Sequence, residues 1–281
     1  MPPMLDVYVV QADAATTERL SPIQTVLAAY PNAPTLIPRV LSSAKARLKQ
    51  KDLQQLPSGC LLLEHDGLSL LSHGTNQQPL RVAPYWLSLQ QRVVTAGKKS
   101  ELLLKAAKIQ PSMRVLDATA GFGHDSLILA STGASVTMLE REPALFALLA
   151  FERADMQQHA HWHKLLAQLT LYFTDFTAWQ MPNDLPAFDR VLLDPMFPTA
   201  SYTSAVNKHM QALHTLTLAP NFAEQIALLQ HAASVLTDDG RVLVKRPKTA
   251  PFLADLPPQD STTNALIRFD SYRKADLVAL S

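Results

Sequence analysis

The sequence predicts an α/β fold built on a largely parallel sheet, preceded by a small N-terminal α+β module. Three observations lead to this prediction. From about residue 98 onward, short apolar runs alternate with segments of helical spacing, which is the pattern of βαβ units. A glycine-containing turn follows the first of these runs, and prolines punctuate the region that precedes it. We expect the module to comprise residues 1–92 and the larger domain residues 93–281.

The composition is that of an ordinary globular protein. Of the 281 residues, 47% are hydrophobic and 17% are charged, and the formal net charge is +1. A chain so close to neutrality does not attract polyanions in bulk, so a nucleic-acid partner would have to be bound by a local basic surface.

Cysteine and histidine usage argues against disulfides and metal sites. Cys60 is the single cysteine, which excludes an intramolecular disulfide and fits a reducing compartment. The three histidines between residues 159 and 163 lack a carboxylate or cysteine partner at ligand spacing, so no metal is expected.

The first residues lack the pattern of a signal peptide, and no apolar run reaches the length of a membrane span. We therefore expect a cytoplasmic protein without a membrane partner.

The N-terminal module carries strand and hairpin signals. The apolar run 5–10 has the character of a strand, and residues 60–64 and 68–72 flank Asp66-Gly67, a two-residue hairpin signal. Six prolines between residues 31 and 84 exclude long helices in that region. A basic stretch within residues 40–54 is compatible with one amphipathic helix.

The larger domain alternates strands with helices. The predicted strands are residues 114–117, 135–140, 169–173, 190–194 and 241–245, with 266–270 and 275–280 closing the sheet. The predicted helices are residues 101–109, 125–131, 143–159 and 222–236.

Residues 115–125 carry a sharp local signal. A strand that ends at Asp117 is followed by a turn in which Gly121 and Gly123 let the backbone approach a ligand, beside the first amides of the next helix. This pattern resembles the first motif of Rossmann-like methyltransferases, whose loop wraps the amino-acid end of S-adenosylmethionine. Another nucleotide-binding loop or a plain turn is the alternative. Ser126 stands where a dinucleotide-binding loop has its third glycine, which argues against NAD.

Acidic residues follow the next two strands. Glu140, followed by Arg141, has the spacing at which a carboxylate accepts hydrogen bonds from two ribose hydroxyls; capping of the following helix is the alternative. Thr174 and Asp175 follow the third strand. The Asp175 carboxylate suits the adenine amino group of a cofactor and equally the N-cap of the next segment.

The decisive signal is Asp194-Pro195-Met196-Phe197-Pro198, directly after the fourth strand. It resembles the Asp/Asn-Pro-Pro-Tyr/Phe motif of amino-methylating methyltransferases. An exocyclic amino group of a base is a poor nucleophile because its lone pair is delocalised into the ring. Asp194 and the carbonyl of Pro195 can accept its two N–H bonds and align the nitrogen with a methyl donor. Phe197 offers a stacking face for a flipped base, and a plain proline-rich turn is the alternative.

Positive charge collects at the end of the fifth strand. Lys245, Arg246 and Lys248 predict contacts with the phosphates of a polynucleotide, with a solvated strand end as the alternative. Lys98 and Lys99 are weaker candidates for the same role.

Taken together, residues 117–125, 138–141, 193–198 and 242–247 resemble the ribosomal RNA small subunit methyltransferase J family of bacterial guanine-N2 methyltransferases. The resemblance implies a class I fold that uses S-adenosylmethionine and releases S-adenosylhomocysteine. It also implies methylation of N2 of guanosine 1516 in 16S rRNA, as naked RNA or within the small ribosomal subunit. The cofactor contacts that it implies are His124, Asp125, Glu140, Arg141, Thr174, Asp175 and Asp194.

Other functions are compatible with parts of this pattern. The same motif serves methylation of adenine N6 in DNA and of amides in proteins, so only a comparison of acceptors separates these from rRNA. A non-catalytic RNA-binding assembly factor is disfavoured because Gly121, Gly123, Glu140 and Asp194 are all intact. Ser126 disfavours a nucleotide-dependent oxidoreductase. The oligomeric state is not predicted.

Overall fold

The structure is a computed structural model that describes residues 2–11, 18–42, 47–74, 78–97, 99–197 and 216–278. Contacts between residues group the chain into two compact units. As far as they are described, residues 1–85, 142–158 and 204–218 form the first unit, and residues 86–141, 159–203 and 219–281 form the second. The boundary expected between residues 92 and 93 stays a prediction.

The described elements are numbered in chain order. The strands are β1 (Met4–Gln11), β2 (Thr35–Ser42), β3 (Leu61–Glu64), β4 (Gly67–His73), β5 (Pro79–Val82), β6 (Arg114–Asp117), β7 (Ser135–Glu140), β8 (Leu169–Phe173), β9 (Phe188–Leu193), β10 (Leu236–Pro247), β11 (Asp260–Thr263) and β12 (Ile267–Arg273). The α-helices are α1 (Leu20–Ala28), α2 (Gln50–Leu53), α3 (Gln90–Thr95), α4 (Leu102–Ala107), α5 (His124–Ala130), α6 (Pro143–Met156), α7 (His163–Leu166), α8 (Phe222–Ser234) and α9 (Lys274–Val278). Short 3-10 helices lie at Trp86–Leu89, Ala160–Trp162, Phe176–Ala178 and Leu253–Asp255.

The first unit contains a five-stranded sheet in the order β2-β1-β3-β4-β5. β1 pairs in parallel with β2 and β3, and β3-β4-β5 is antiparallel. The predicted hairpin is confirmed, although its two loop residues are His65 and Asp66, because Gly67 already pairs with Glu64. Gly67 has a φ of +132°, a backbone conformation that favours glycine at this strand start.

The prediction of an amphipathic helix within residues 40–54 is wrong. Val40 and Leu41 pair with Val9 and Val10 of β1, and among the described residues of this stretch only Gln50–Leu53 is helical. Pairing with a distant strand outweighs the local helical pattern.

The second unit contains a seven-stranded sheet in the order β11-β12-β10-β9-β6-β7-β8. β8, β7, β6, β9 and β10 run in parallel, and β12 is antiparallel to β10 and β11. The chain order of the strands reverses between β6 and β9, and ligands of open α/β sheets bind at the carboxyl ends of the strands at such a point. This parallel-rich architecture confirms the predicted fold class.

The strand cores are nearly inaccessible to solvent, as expected for parallel strands covered on both faces. Val115, Leu116, Val191 and Leu193 are at most 1% exposed. The helix α8 begins with a capping box in which the Asn221 side chain accepts from the Glu224 amide, consistent with its predicted start.

The prediction of a strand at residues 275–280 is wrong for those of its residues that the structure describes. Lys274–Val278 is the helix α9, which buries Leu277 in the core beside α8. Packing of Leu277 against the core, where it is fully buried, outweighs the local strand pattern, and Val278 stays 56% exposed. The sheet is closed instead by β11, which pairs with β12.

Candidate active site

The loop between β6 and α5 has the glycine-dependent geometry that the sequence predicts. Gly121 and Gly123 have φ values of +54° and +72°, a region that side chains with a Cβ rarely adopt. The Gly123 amide donates to the carbonyl of Ala120 at 2.7 Å, which closes the turn directly before α5. A Cβ on Gly121 would meet no protein atom nearer than the Thr119 carbonyl oxygen at 4.0 Å, so the space beside the loop is open.

Glu140 holds this loop in place. Its Oε2 accepts from the Gly121 amide at 2.7 Å, and the residue is only 6% exposed at the carboxyl end of β7. The acid predicted to meet a ribose therefore lies directly against the glycine loop.

Asp117 lies beneath the loop. It is 2% exposed, and its carboxylate accepts from the Ser126 hydroxyl at 2.5 Å and from the Thr119 amide at 3.3 Å. Burial raises the pKa of Asp117 to about 7, against the opposing effect of the Ser126 hydrogen bond. The serine that argues against a dinucleotide loop thus joins β6 to α5.

Asp175 caps the 3-10 helix that follows β8. One of its carboxylate oxygens accepts from the Thr177 amide at 2.9 Å, and the other lies 3.1 Å from Arg141. Burial acts to raise the pKa of Asp175, but the bonds from Thr177 and the Arg141 charge outweigh it and lower that pKa. Thr174 donates its amide to the Glu140 carbonyl, which keeps the two predicted acidic positions together. The capping interpretation describes this geometry, and contact with adenine stays a prediction.

Lys245 joins the glycine-loop side of the site to the Asp194 side. Its Nζ lies 2.7 Å from Oδ2 of Asp125 in the first turn of α5 and 2.9 Å from Oδ2 of Asp194 after β9. The Asp194 amide also donates to the Thr119 hydroxyl at 2.7 Å. The segment that begins at Asp194 is therefore tied to the glycine loop through both its backbone and its side chain.

The three charges perturb one another. Burial lowers the pKa of Lys245, but Asp125 and Asp194 outweigh it and the net shift is upward. Burial raises the pKa of Asp194 against the opposing charge of Lys245, whereas the same lysine overcomes burial at Asp125 and lowers its pKa. The arrangement holds two carboxylates and one ammonium in a half-buried group.

Lys245 thus lies in a different environment from the phosphate-binding strand end that we expected. Its ammonium forms ion pairs with two carboxylates, and contact with a phosphate stays a prediction. Lys248 and Lys99 are exposed, and Lys98 lies outside the described residues.

Phe197 and Arg246 form a buried stack beside Asp194. Phe197 is 4% exposed, and the Arg246 guanidinium carbon lies 4.3 Å from the centre of its ring. Pro195 is buried as well. The predicted stacking of a base on Phe197 requires this ring to be uncovered.

Sequence reasoning missed two supporting residues. Thr119 links the loop to Asp194, and its only signal was its position within the turn after β6. Trp86 is fully buried, and its indole Nε1 donates to the carbonyl of Phe122 at 2.8 Å, which supports the loop from outside the predicted motifs.

The described residues include neither a cluster of metal ligands nor a helix that could span a membrane. Within the part of the chain that the structure describes, no three His, Cys, Asp or Glu side chains group as metal ligands would. None of the described helices has the length and apolar character needed to cross a bilayer.

Comparison with known proteins identifies the family. A family model of SAM-dependent methyltransferases matches residues 43–274. The ribosomal RNA small subunit methyltransferase J of Psychrobacter cryohalolentis is 43% identical over 286 residues, covering 94% of each chain. The protein of that name from Psychrobacter arcticus is 45% identical over 249 residues, covering 80% of this chain and 82% of the relative.

A solved structure agrees with this assignment. The SAM-dependent methyltransferase from Neisseria gonorrhoeae is 29% identical, superposes with a TM-score of 0.66, and is matched over 96% of both chains. With its class I fold, this chain therefore belongs to the ribosomal RNA small subunit methyltransferase J family, whose cofactor is S-adenosylmethionine.

Proposed function

We propose that this protein transfers a methyl group from S-adenosylmethionine to the exocyclic N2 of a guanosine in 16S rRNA, guanosine 1516 in the usual numbering. The observation that carries the proposal is the position of Asp194, tied to the glycine loop at the point where the strand order reverses. The names of the Psychrobacter relatives support small-subunit rRNA as the acceptor. We place the reaction in the cytoplasm.

The residues around the loop fit S-adenosylmethionine. Open space lies beside Gly121, and the carboxylates of Glu140, Asp125 and Asp194 provide acceptors for hydroxyl and ammonium groups and negative charge for a sulfonium. When bound, the cofactor supplies an electrophilic methyl group. We assign Glu140 to the ribose hydroxyls, and His124, Asp125 and Arg141 to neighbouring contacts, with Asp117 acting from beneath the loop. Thr174 and Asp175 are assigned to the adenine side.

Asp194 orients the amino group that is methylated. Its Oδ2 is bound to Lys245, and its Oδ1 accepts no hydrogen bond from any residue that the structure describes. Oδ1 and the Pro195 carbonyl can therefore accept the two amine N–H bonds, which holds the nitrogen lone pair toward the methyl group. No strong base is needed because the nitrogen becomes acidic as it is methylated.

The RNA itself is bound by shape and by a few exposed cations. Lys248 and Lys99, with Lys98, are assigned to backbone phosphates. A formal net charge of +1 provides little bulk attraction, which favours a structured particle over a flexible strand as the acceptor.

Transfer of labelled methyl to rRNA tests this function. Small ribosomal subunits and naked 16S rRNA from cells that lack the gene are compared with DNA and bulk protein as acceptors. We expect label at a single N2-methylguanosine. Asp194→Ala should abolish transfer while retaining the fold and most of the cofactor affinity, and Asp189→Ala is an acidic control outside the site. Label in DNA or protein alone, or near-normal turnover of Asp194→Ala, would refute the proposal.

A further inference from the structure

Arg246 is a buried cation without a hydrogen-bonding partner for its Nε. The residue is 6% exposed, and this Nε donates to no acceptor among the residues that the structure describes. Its guanidinium stacks on the ring of Phe197. An aromatic face attracts a cation but does not accept the in-plane N–H donors, so the stack leaves the donor edge of the guanidinium available.

The neighbouring carboxylates act on Arg246 only through space. Its cross-strand partner Arg268 binds Asp270, with Nε 2.9 Å from both carboxylate oxygens, and Asp270 also accepts from Ser261 at 2.6 Å. Arg246 and Arg268 are 6% and 9% exposed, and Asp270 is fully buried. Asp270 therefore hydrogen-bonds Arg268 and acts on Arg246 only through space.

Among the described residues, Asp194 and Asp255 are the other carboxylates within electrostatic range, and Asp194 is already paired with Lys245. Asp255 acts on Arg246 through space but is exposed and makes no hydrogen bond to it among the described residues. Residues 198–215, which follow Phe197 in the chain, include no Asp or Glu. Burial and the Arg268 charge lower the pKa of Arg246, although a guanidinium stays protonated at any physiological pH. A buried donor without an acceptor costs free energy, and an anionic ligand would supply the acceptor.

We propose that the guanidinium of Arg246 binds a phosphate group of the acceptor RNA, next to the nucleotide that is methylated. The proposal rests on the proposed function and adds one defined contact to it. Arg246 lies close enough to Asp194 to lower the pKa of that carboxyl, and it stacks on Phe197 of the same segment. A phosphate at its free edge would therefore lie next to the nucleotide whose amino group Asp194 orients. The planar fork of donors matches two phosphate oxygens.

The salt dependence of RNA binding tests this contact. Binding of the full-length chain to small ribosomal subunits from cells that lack the gene is measured over a series of KCl concentrations. Loss of one phosphate contact makes the slope of log K against log salt shallower by about 0.7 to 0.9. We expect this change in Arg246→Met, with kcat/KM for methyl transfer reduced roughly tenfold to hundredfold. Affinity for S-adenosylmethionine should be unchanged.

Matched variants separate phosphate binding from support of Phe197. Phe197→Leu removes the stacking partner and keeps the guanidinium, so its slope should equal that of the wild type. Arg246→Lys keeps the positive charge and loses the planar pair of donors, so its salt slope should equal that of the wild type while its turnover falls. This variant replaces Arg246→Met as the test if Arg246→Met does not fold. Because Met removes a buried donor that has no acceptor, the Tm of Arg246→Met should be unchanged or higher.

Three outcomes would overturn the proposal. These are an unchanged salt slope in Arg246→Met, a loss of cofactor affinity in place of RNA affinity, or equal slopes for Arg246→Met and Phe197→Leu. The proposed function fails separately, when the wild-type chain transfers no methyl to small-subunit RNA.

Discussion

Lys245→Met removes the ammonium that joins Asp125 to Asp194 and keeps most of the apolar length of the side chain. The Nζ atom lies 2.7 and 2.9 Å from the two carboxylates, so the carboxylates are close neighbours of each other. At a separation of about 5 Å and an effective dielectric constant of about 20, two such charges repel by about 3 kcal/mol. The three side chains are 19–26% exposed, and solvent screening reduces this figure. We expect the free energy of unfolding near neutral pH to fall by about 2 kcal/mol.

The pH dependence of the variant has a defined sign. In the wild type, burial raises the pKa of Asp194. The charges of Lys245 and Arg246 of β10 lower this pKa, and Asp125 of α5 raises it. Asp117 of β6 also lies within electrostatic range. Without Lys245, the pKa of Asp194 rises further. A protonated Asp194 is a weaker acceptor for the amine, so the acid limb of kcat/KM moves to higher pH. The loss of stability shrinks as the pH falls, because protonation removes the repulsion.

Two measurements check this prediction. The first is the pH profile of kcat/KM for methyl transfer at saturating cofactor, and the second is urea unfolding at pH 6 and pH 8. Lys248→Met, an exposed lysine at the end of the same strand, is the matched control for stability. Adding Asp125→Asn to Lys245→Met should restore most of the stability, since one repelling charge is gone. The reasoning is refuted when the acid limb stays in place and the stability loss is no larger than that of Lys248→Met.

Two further predictions concern the glycine loop. Burial raises the folded-state pKa of Asp117 to about 7, so the folded protein binds a proton at this carboxyl more tightly than the unfolded chain does. The stability gained from that proton is complete below the unfolded pKa and is lost as pH rises toward 7. Asp117→Asn should flatten the decline in unfolding free energy between about pH 4 and pH 7, and an unchanged slope by urea titration would contradict this. Gly121→Ala forces a Cβ onto a φ of +54° and should cost about 1–2 kcal/mol. Calorimetry should also show weakened S-adenosylmethionine binding, in contrast to Gly97→Ala, where an added Cβ meets open space.

Most strands of the larger sheet could be predicted because their signal is local. The runs 114–117, 135–140 and 169–173 are strands at the predicted positions. Each is a short apolar run bounded by turn residues, and burial on both faces needs only that composition. The predictions for residues 40–54 and 275–280 were wrong for the described residues of these ranges. Their conformation depends on strand pairing and on packing against distant elements.

By itself, the sequence determined which chemical groups follow each strand: the glycines after β6, Glu140 at the end of β7, Asp194 after β9 and the cations of β10. Parallel strands place their carboxyl ends along one edge of the sheet, so these groups were bound to gather there. Only the tertiary structure decided their partners. Lys245 lies 120 residues from Asp125, and its bond to that carboxylate depends on strand order and side-chain direction. The local sequence encodes neither strand order nor side-chain direction. For this reason sequence reasoning assigned to RNA a lysine that lies between two carboxylates of the site.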